Sequence, residues 1–371
     1  MNKGSKWLCI ACLSLLFISC HQKESEETRN LPEKEKIKAL LVTDSSGIGD
    51  HSFNSASFSG LLSYYGDTFD EQKYRGTLYE VSRCTTEETA LEQMEKASIL
   101  RKYDIIIMPG LSYAQSLITA ALHYPDQKFM IIDTDQISLP NVLEISFSEE
   151  QGSFLVGAAA ALQSRLEGRK NPKFGFIGGE ISSVITKFQI GFIQGVLSVI
   201  PGTSVEEYYT GSWERMDLAE QKSMEWFASG VYAVYSAAGA SGLGTIEAAK
   251  YFRQKGYNVW ALGVDSDQFD EGLYAKNKSA VLTSMIKDAG RAVVYTLNMM
   301  EAGNFVSGSV VFDLAAEGVS YTKTNNDLSA EVIVSLEKLK KTILEGKRKV
   351  YSSYSEALEA GAVQELKHAV K

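Results

Sequence analysis

This chain contains few of the residues that build metal centres or nucleophilic active sites. Its 371 residues include four histidines and four cysteines, and neither His-Glu-x-x-His nor Gly-x-Ser-x-Gly occurs. Asp44 and Asp50 could be paired as a metal or acid site, but no other residue supports that pairing. The sequence therefore predicts no metal site, no cofactor and no catalytic residue.

Basic residues are too few for a nucleic-acid-binding protein. Lysine and arginine number 37 against 46 acids, which gives a formal charge of −9. Removal of residues 1–19 would take away two lysines and no acid, so the charge would fall by two, from −9 to −11. Nucleic-acid phosphates require a basic surface, and we therefore expect no nucleic-acid partner.

The N-terminus has the layout of a secretory signal, with an apolar run, Trp7–Ile18, between two lysines and a polar segment. Phe17-Ile-Ser-Cys20 resembles a bacterial lipobox, in which Cys20 is acylated and becomes the mature N-terminus. We expect residues 1–19 to be the signal peptide and residues 20–36, rich in Glu and Lys, to be a flexible tether. The protein would then be anchored to the cell membrane by lipid, facing the periplasm or the cell exterior. A plain signal peptide or an uncleaved anchor remains the alternative.

From residue 37 onward, short and mostly apolar runs alternate with amphipathic stretches of helical length. Such runs are typical of parallel strands covered on both faces. The alternation predicts an α/β fold, and two sets of elements divided near residues 142–150 predict two doubly wound, parallel-sheet lobes. The predicted strands are Ile37–Thr43, Thr77–Val81, Ile105–Met108, Phe129–Ile132, Val142–Ser146, Phe174–Ile177, Val205–Tyr209, Ala233–Ala238, Val259–Val264, Ala280–Ser284 and Val310–Asp313.

Polar and aromatic residues follow the ends of these strands. Ligands of open α/β sheets bind at the carboxyl ends of the strands, so these residues would face one cleft. Each has an ordinary explanation taken singly, such as a helix cap, a turn or packing. Together they predict a cleft with acceptors, flat apolar faces and one cation. The residues are Asp44, Phe53, Asn54, Asp133, Trp213, Gly239, Asp265 and Lys287.

The glycine cluster that begins at Gly239 follows a predicted strand and opens a helix. Its order, Gly-x-x-Gly-x-Gly, differs from Gly-x-Gly-x-x-Gly, and no Gly-Lys-Ser or Gly-Lys-Thr accompanies it. Tight turning or a neutral polar ligand therefore fits this cluster better than a dinucleotide or a triphosphate.

Several motifs occur in a fixed order along residues 37–345. They resemble the basic-membrane-protein family of lipoproteins, and within it the purine nucleoside receptors. The resemblance implies a type I periplasmic-binding-protein fold with a hinge and a cleft, a substrate-binding role in an ABC importer, a permease partner and a monomeric state. The motifs are Thr43-Asp-Ser-Ser-Gly-Ile-Gly-Asp-His-Ser52-Phe53-Asn54, Phe147-Ser-Glu-Glu-Gln-Gly-Ser-Phe154, Gly178-Gly179 with Phe188-Gln-Ile-Gly-Phe192, Tyr209-Thr-Gly-Ser-Trp213, Ala237-Ala-Gly-Ala-Ser-Gly242, Gly263-Val-Asp265-Ser-Asp-Gln268 and Leu282-Thr-Ser-Met-Ile-Lys287.

The resemblance also implies a domain organisation. Residues 37–145 and about 266–305 would form lobe 1, and residues 146–265 and about 306–345 would form lobe 2. Residues 346–371 would be a helical tail.

Position by position, the resemblance implies a nucleoside site. Phe53 and Trp213 would sandwich the purine, and Asp265 would accept hydrogen bonds from the ribose 2′- and 3′-hydroxyls. Lys287 and the Gly239 backbone would lie beside the ribose. The remaining residues of the set, most of them at the polar edge of the base, are Asp44, Ser52, Asn54 and Asp133.

Two other functions remain open at this point. One is an enzyme that processes nucleosides or nucleotide sugars on a similar α/β frame, and the other is a surface antigen that keeps the fold without transport. The chain departs from the family pattern at Ser46, Gly49 and Ala240, and it has Trp213 where Phe is commoner. The second stacking partner and the preference among inosine, guanosine and adenosine are therefore not fixed by the motifs.

Overall fold

The apolar runs of the sequence form two six-stranded sheets in the computed structural model, which describes residues 36–50 and 53–370. The first sheet has the order β13-β5-β4-β3-β1-β2, and all of its strands are parallel. Its strands are Ala39–Thr43 (β1), Tyr79–Arg83 (β2), Ile105–Met108 (β3), Lys128–Ile132 (β4), Val142–Phe147 (β5) and Gly308–Phe312 (β13).

The second sheet has the order β14-β12-β9-β8-β6-β7, in which only β14 is antiparallel to its neighbour. Its strands are Lys173–Gly178 (β6), Val205–Tyr209 (β7), Val231–Ala237 (β8), Trp260–Asp265 (β9), Val281–Lys287 (β12) and Val319–Tyr321 (β14). A small hairpin of Leu273–Ala275 (β10) and Lys278–Ser279 (β11) lies between β9 and β12 in the chain. The inner strands are buried on both faces, as their apolar sequences require.

Helices cover both sheets, and some of them begin at polar caps. Thr86 forms a capping box at one helix, and the Ser182 hydroxyl accepts from the Ile185 amide at another. The helices are Phe53–Tyr65 (α1), Glu87–Ile99 (α2), Ala114–His123 (α3), Glu149–Leu166 (α4), Ser183–Val199 (α5), Met216–Ala228 (α6), Leu243–Gln254 (α7), Ala289–Glu301 (α8), Ala330–Leu344 (α9) and Tyr354–Glu359 (α10).

Two helices leave the sheet that precedes them and pack on helices of the other sheet. Helix α4 follows β5 of the first sheet but packs against α5, and α8 follows β12 of the second sheet but packs against α1. Both pairs approach closely because glycines face backbone: a Cβ at Gly191 would collide with Glu150, and one at Gly60 with Gly290. We call the first sheet with α1, α2, α3 and α8 the first lobe, and the second sheet with α4, α5, α6 and α7 the second lobe.

The path of the chain corrects part of the expected lobe organisation. Residues 266–305 were expected in the first lobe, but β12 pairs with β9 and belongs to the second sheet. Conversely, β13 pairs with β5 of the first sheet, although residues 306–345 were expected in the second lobe. The chain therefore crosses between the sheets after β5, after β12 and between β13 and β14, and three short connections join the lobes.

The segment after residue 345 differs from the expected helical tail. Of the described residues 346–370, only Tyr354–Glu359 is helical, and Gly361, with φ +65°, ends that helix. Further along, backbone amides donate to side chains of the second lobe: Lys367 to Glu207 at 2.6 Å and Val370 to Thr186 at 3.0 Å. These side chains replace the hydrogen bonds that a helix would have supplied.

Three sequence predictions lie outside the described residues: the signal peptide, the tether with Cys20, and the role of Ser52. Within the described ranges, none of the helices combines the length and the apolarity that crossing a membrane requires.

Candidate functional site

A cavity of about 380 Å³ lies at the carboxyl ends of strands from both sheets. It is bounded by the segments that follow β1, β3 and β4 of the first sheet and β6, β7 and β8 of the second, and by the last residues of β9 and β12. All described members of the predicted set line it, which are Asp44, Phe53, Asn54, Asp133, Trp213, Gly239, Asp265 and Lys287.

Polar groups of the first lobe are held by local hydrogen bonds. The Asp44 carboxylate accepts from the Ser46 amide at 2.9 Å and from Asn54 Nδ2 at 3.0 Å. Asp50 accepts from the amides of Asn54 and Ser55 and so caps α1. Asn54 is 3% exposed, and its Oδ1 has no hydrogen-bond partner within the described part of the chain. This amide oxygen is an acceptor that a ligand donor could satisfy.

Two aromatic rings line the cavity from opposite lobes. Phe53 is the first residue of α1, and Trp213 lies in the loop after β7. The Trp213 ring packs on the backbone of Gly179, where a Cβ would collide with the ring. The backbone carbonyl of Trp213 accepts a hydrogen bond from the Ser241 amide at 2.8 Å. Trp213 is therefore held in place by its own lobe.

Two aspartates at strand ends adopt left-handed backbone conformations. Asp133 follows β4 with φ +81°, and Asp265 ends β9 with φ +65°. Aspartate tolerates this region better than most residues, yet such conformations still cost free energy and are concentrated at functional sites. The strain at Asp133 and Asp265 marks both strand ends as positions where the direction of the side chain matters.

Lys287 joins the two lobes inside the protein. Its side chain is 2% exposed, and Nζ lies 2.5 Å from Asp133 Oδ1 and 3.1 Å from Glu149 Oε1. The ammonium also lies 4.7 Å from the centroid of the Phe53 ring and 5.5 Å from that of Phe188. A lysine of the second sheet is thus bonded to a carboxylate of the first.

The buried charges shift one another's pKa. Burial favours a lower pKa for Lys287, but the carboxylates of Asp133, Glu149 and Asp265 outweigh it and raise that pKa above its ordinary value. Burial raises the pKa of Asp133, an effect that Lys287 opposes and Glu149 reinforces. Because its partners hold the proton on Lys287, this residue is a fixed cation rather than a base.

The sequence-based prediction did not include several residues at this site, three of which contribute to its central contacts. Glu149 contacts Lys287, Phe188 lines the cavity, and Glu214 crosses the cleft. Glu149 and Phe188 lie within recognised motifs, which was a usable signal. Glu214 directly follows Trp213, but only the fold reveals its partner.

A second cross-lobe contact lies at the exposed edge of the cavity. Ser45 and Ser46, after β1, donate their hydroxyls to Glu214 Oε1 at 2.7 and 3.4 Å. The Ser45 carbonyl in turn accepts from Arg83 Nε at 2.6 Å. The lobes are therefore joined at both the interior and the rim of the cavity.

The arrangement offers non-covalent recognition: acceptor oxygens, two flat rings and one fixed cation. Across the described ranges, no group of three or more His, Cys, Asp or Glu residues is placed to hold a metal ion. The site can thus orient a flat ligand with hydroxyl and N–H donors.

Comparison with known proteins agrees with this architecture. Residues 37–353 match the family described as "ABC transporter substrate-binding protein PnrA-like". The chain is 31% identical over 326 residues to the "ABC transporter nucleoside-binding protein BmpA" of Lactococcus lactis, covering 85% of this chain and 89% of that protein. It is also 31% identical over 318 residues to the "CD4+ T-cell-stimulating antigen" of Listeria monocytogenes, covering 84% and 87%.

A solved ABC transporter solute-binding protein from Aeropyrum pernix superposes with a TM-score of 0.72 at 23% identity, covering 88% of this chain and 98% of that one. This similarity shows the fold and confirms the predicted α/β architecture of the periplasmic-binding-protein type.

Proposed function

Because the chain belongs to the PnrA-like family of ABC transporter substrate-binding proteins, we propose that it binds a purine nucleoside between its lobes and delivers it to a membrane permease. The observation that carries this proposal is the pairing of Phe53 and Trp213, from opposite lobes, on one cavity with Asp265 and Lys287. The printed name of the Lactococcus relative, a nucleoside-binding protein, supports the same ligand class.

The base would lie between the two rings. Lys287 lies over one face of Phe53, so the purine would stack on the other face, and Trp213 would cover the purine from the second lobe. Stacking of this kind accepts any purine and contributes about 1–3 kcal/mol per ring. Asp44, Asn54 and Asp133 offer acceptors to the N–H groups at the edge of the base.

The ribose would lie beside Asp265. A carboxylate has two acceptor oxygens and matches the two donors of a cis-diol. Lys287, held by Asp133 and Glu149, would complete this side of the site with the Gly239 backbone. Because the ligand touches both lobes, its binding stabilises the closed arrangement that a permease would recognise.

Calorimetric titration tests the ligand class directly. Inosine should bind, 2′-deoxyinosine should bind more weakly, and hypoxanthine should bind most weakly, since each step removes contacts to Asp265. Native mass spectrometry of freshly purified protein should also detect a co-purified nucleoside. Equal binding of all three ligands would refute the ribose contact, and absence of binding by any purine nucleoside would refute the function.

We also propose that Cys20 carries the lipid anchor, from the lipobox-like sequence that ends there. One acyl chain anchors only marginally, whereas two or more hold a protein stably on a membrane. Cys20→Ala should move the protein from the membrane fraction to the soluble fraction and abolish acyl labelling, with Cys84→Ala as the control. Retention of label and membrane association by Cys20→Ala would exclude this anchor.

A further inference from the structure

Cationic side chains are concentrated in two segments of the chain: the end of α4 with the turn after it, and the end of α9 with the turn after it. Residues 165–173 contain four lysines and arginines, residues 338–349 contain six, and each segment contains one acid. These two segments therefore hold ten of the 37 lysines and arginines of a chain whose formal charge is −9. The excess of positive charge is local, because the composition of the whole chain is acidic.

The fold brings the two segments to one surface. A shallow groove between α4, α5 and α9 is lined by Arg165 from the first segment and Lys338 from the second. Arg165 Nη1 donates to the carbonyl of Val199, the last residue of α5, at 3.3 Å. The Thr203 hydroxyl, just beyond α5, donates to the Pro172 carbonyl at 2.7 Å. We call this surface the basic face; its exposed cationic residues are Arg165, Lys170, Lys173, Lys338 and Lys341.

Most of the charge on the basic face is not balanced by neighbouring acids. Of its five cations, only Lys341 forms an ion pair with another described residue, and that residue, Glu345, also pairs with Lys347. The acid of the other segment, Glu167, accepts a hydrogen bond from the Tyr232 hydroxyl at 3.0 Å. Both acids are thus engaged with the protein, and the basic face keeps an excess of positive charge.

Apolar side chains are exposed among these cations. Val334 lies one turn before Lys338 on the same face of α9 and is 54% exposed. Leu166 directly follows Arg165 and is 49% exposed. Lysine and arginine mixed with exposed aliphatic side chains suit an interface in which anionic groups lie directly above apolar chains. An anionic phospholipid bilayer has this construction, whereas an acidic protein would satisfy the charges alone.

The basic face lies at the end of the second lobe that is opposite the cavity. Lys173 begins β6, and the segment after the other end of that strand lines the cavity. Helix α4 likewise begins at Glu149, beside Lys287 of the cavity, and reaches Arg165 in its last turn. A bilayer bound to the basic face therefore leaves the mouth of the cavity open to its ligand.

We infer that the basic face binds the anionic headgroups of a phospholipid bilayer. This contact is additional to the proposed lipid anchor at Cys20 and does not depend on the ligand of the cavity. Each basic side chain near an anionic leaflet strengthens binding about fivefold, which corresponds to about 1 kcal/mol. Salt weakens the contact, because the charges are exposed to solvent.

Co-sedimentation with lipid vesicles tests this inference. Residues 36–371 form a compact unit by themselves, so they can be used without the N-terminal segment and its expected acyl chains. This protein should bind vesicles of about 30% phosphatidylglycerol in phosphatidylcholine, and it should bind pure phosphatidylcholine vesicles far more weakly. Binding to the anionic vesicles should fall steeply as the ionic strength rises from about 0.05 to 0.5 M.

A double variant locates the contact. Arg165→Gln combined with Lys338→Gln should weaken binding to the anionic vesicles about 25-fold, since each substitution removes one cation from the basic face. The matched control combines Lys96→Gln with Lys276→Gln, which alter two exposed lysines outside the basic face, and it should change binding less than about twofold. Urea unfolding verifies that both double variants are folded.

Equal binding to anionic and neutral vesicles would overturn the inference. Binding to the anionic vesicles that the change of Arg165 and Lys338 leaves intact would overturn it as well. The same titration with poly-L-glutamate distinguishes an acidic protein as the partner: binding of this polymer without binding of the vesicles would assign the basic face to such a protein and exclude the bilayer. Each of these results leaves the proposed nucleoside binding in the cavity standing.

Discussion

The first lobe holds its polar groups through its own backbone, whereas the second lobe places a charge across the cleft. Asp44 and Asp50 accept hydrogen bonds from residues at or near the start of α1, in their own lobe. Lys287, at the end of β12, bonds to Asp133 of the first sheet. The carboxyl ends of the strands therefore carry a preorganised set of polar groups in the first lobe. In the second lobe they carry a lysine that forms an ion pair across the cleft.

This difference indicates which substitutions should affect folding and which should affect recognition. Lys287 is buried beside two carboxylates, so its removal leaves Asp133 without its cation and Glu149 with only the more exposed Lys187. Residues of the cavity that do not take part in this ion pair should matter mainly for the ligand.

Lys287→Met should be the most damaging change. It leaves Asp133 and Glu149 buried without their shared cation and should lower the free energy of unfolding by about 3–5 kcal/mol. Urea unfolding measures this loss. Lys187→Met is the control, because Lys187 also contacts Glu149 but is 28% exposed, and it should cost clearly less. Equal losses in the two variants would contradict the claim that Lys287 joins the lobes.

Asp265→Ala should weaken inosine binding by about 2–4 kcal/mol, since two charge-assisted hydrogen bonds to the ribose are lost. The affinity for 2′-deoxyinosine should fall less, so the difference in affinity between the two ligands should become smaller. Calorimetry measures both values, with the exposed Asp270→Ala as the control. If the difference in affinity between the two ligands did not change, residues other than Asp265 would contact the ribose hydroxyls.

Phe53→Ala and Trp213→Ala should each weaken purine nucleosides by about 1–3 kcal/mol. Because both rings would contact the base and not the ribose, both variants should leave the preference for ribose over deoxyribose unchanged. Tyr257→Ala, an exposed ring that does not line the cavity, serves as the control. Trp213→Ala with parental affinity would show that this ring only packs on Gly179.

Glu150 allows a smaller test at the connection between β5 and α4. Burial and the neighbouring Glu149 raise the pKa of Glu150 from 4.5 to about 7. Below pH 4.5 the Glu150 carboxyl is protonated in both the folded and the unfolded protein, so it does not lower the free energy of unfolding. As the pH rises from 4.5 to 7 the unfolded state loses this proton first, so stability falls, and above pH 7 the penalty is constant.

Glu150→Gln lacks this penalty. The variant should be more stable than the parent by about 1–2 kcal/mol at pH 8, and the two should converge toward pH 4.5. Urea unfolding at several pH values checks both parts. A difference that does not depend on pH would show that Glu150 does not titrate in this range.

Much of the fold followed from local pattern. Each predicted strand is present within a few residues, because buried parallel strands require unbroken apolar runs. The short strands β10, β11 and β14 were missed, since two or three residues carry too little pattern to detect. The placement of β12 and β13 was also wrong, because the sheet that a strand joins depends on where the chain crosses between lobes.

The site was predictable to the extent that parallel strands end at one edge. Asp44, Asp133 and Asp265 all follow or end strands, and the fold brings them to one cavity. Glu149 and Glu214 were missed because their partners, Lys287 and Ser45, lie more than a hundred residues away in the chain. Such pairs appear only once the lobes are placed together.

A crystal structure with inosine bound would locate the ligand directly. We expect the purine between Phe53 and Trp213, the ribose hydroxyls on Asp265, and Lys287 still bonded to Asp133. Inosine bound outside this cavity, or a base that contacts only one lobe while Trp213 remains packed on Gly179, would contradict this expectation.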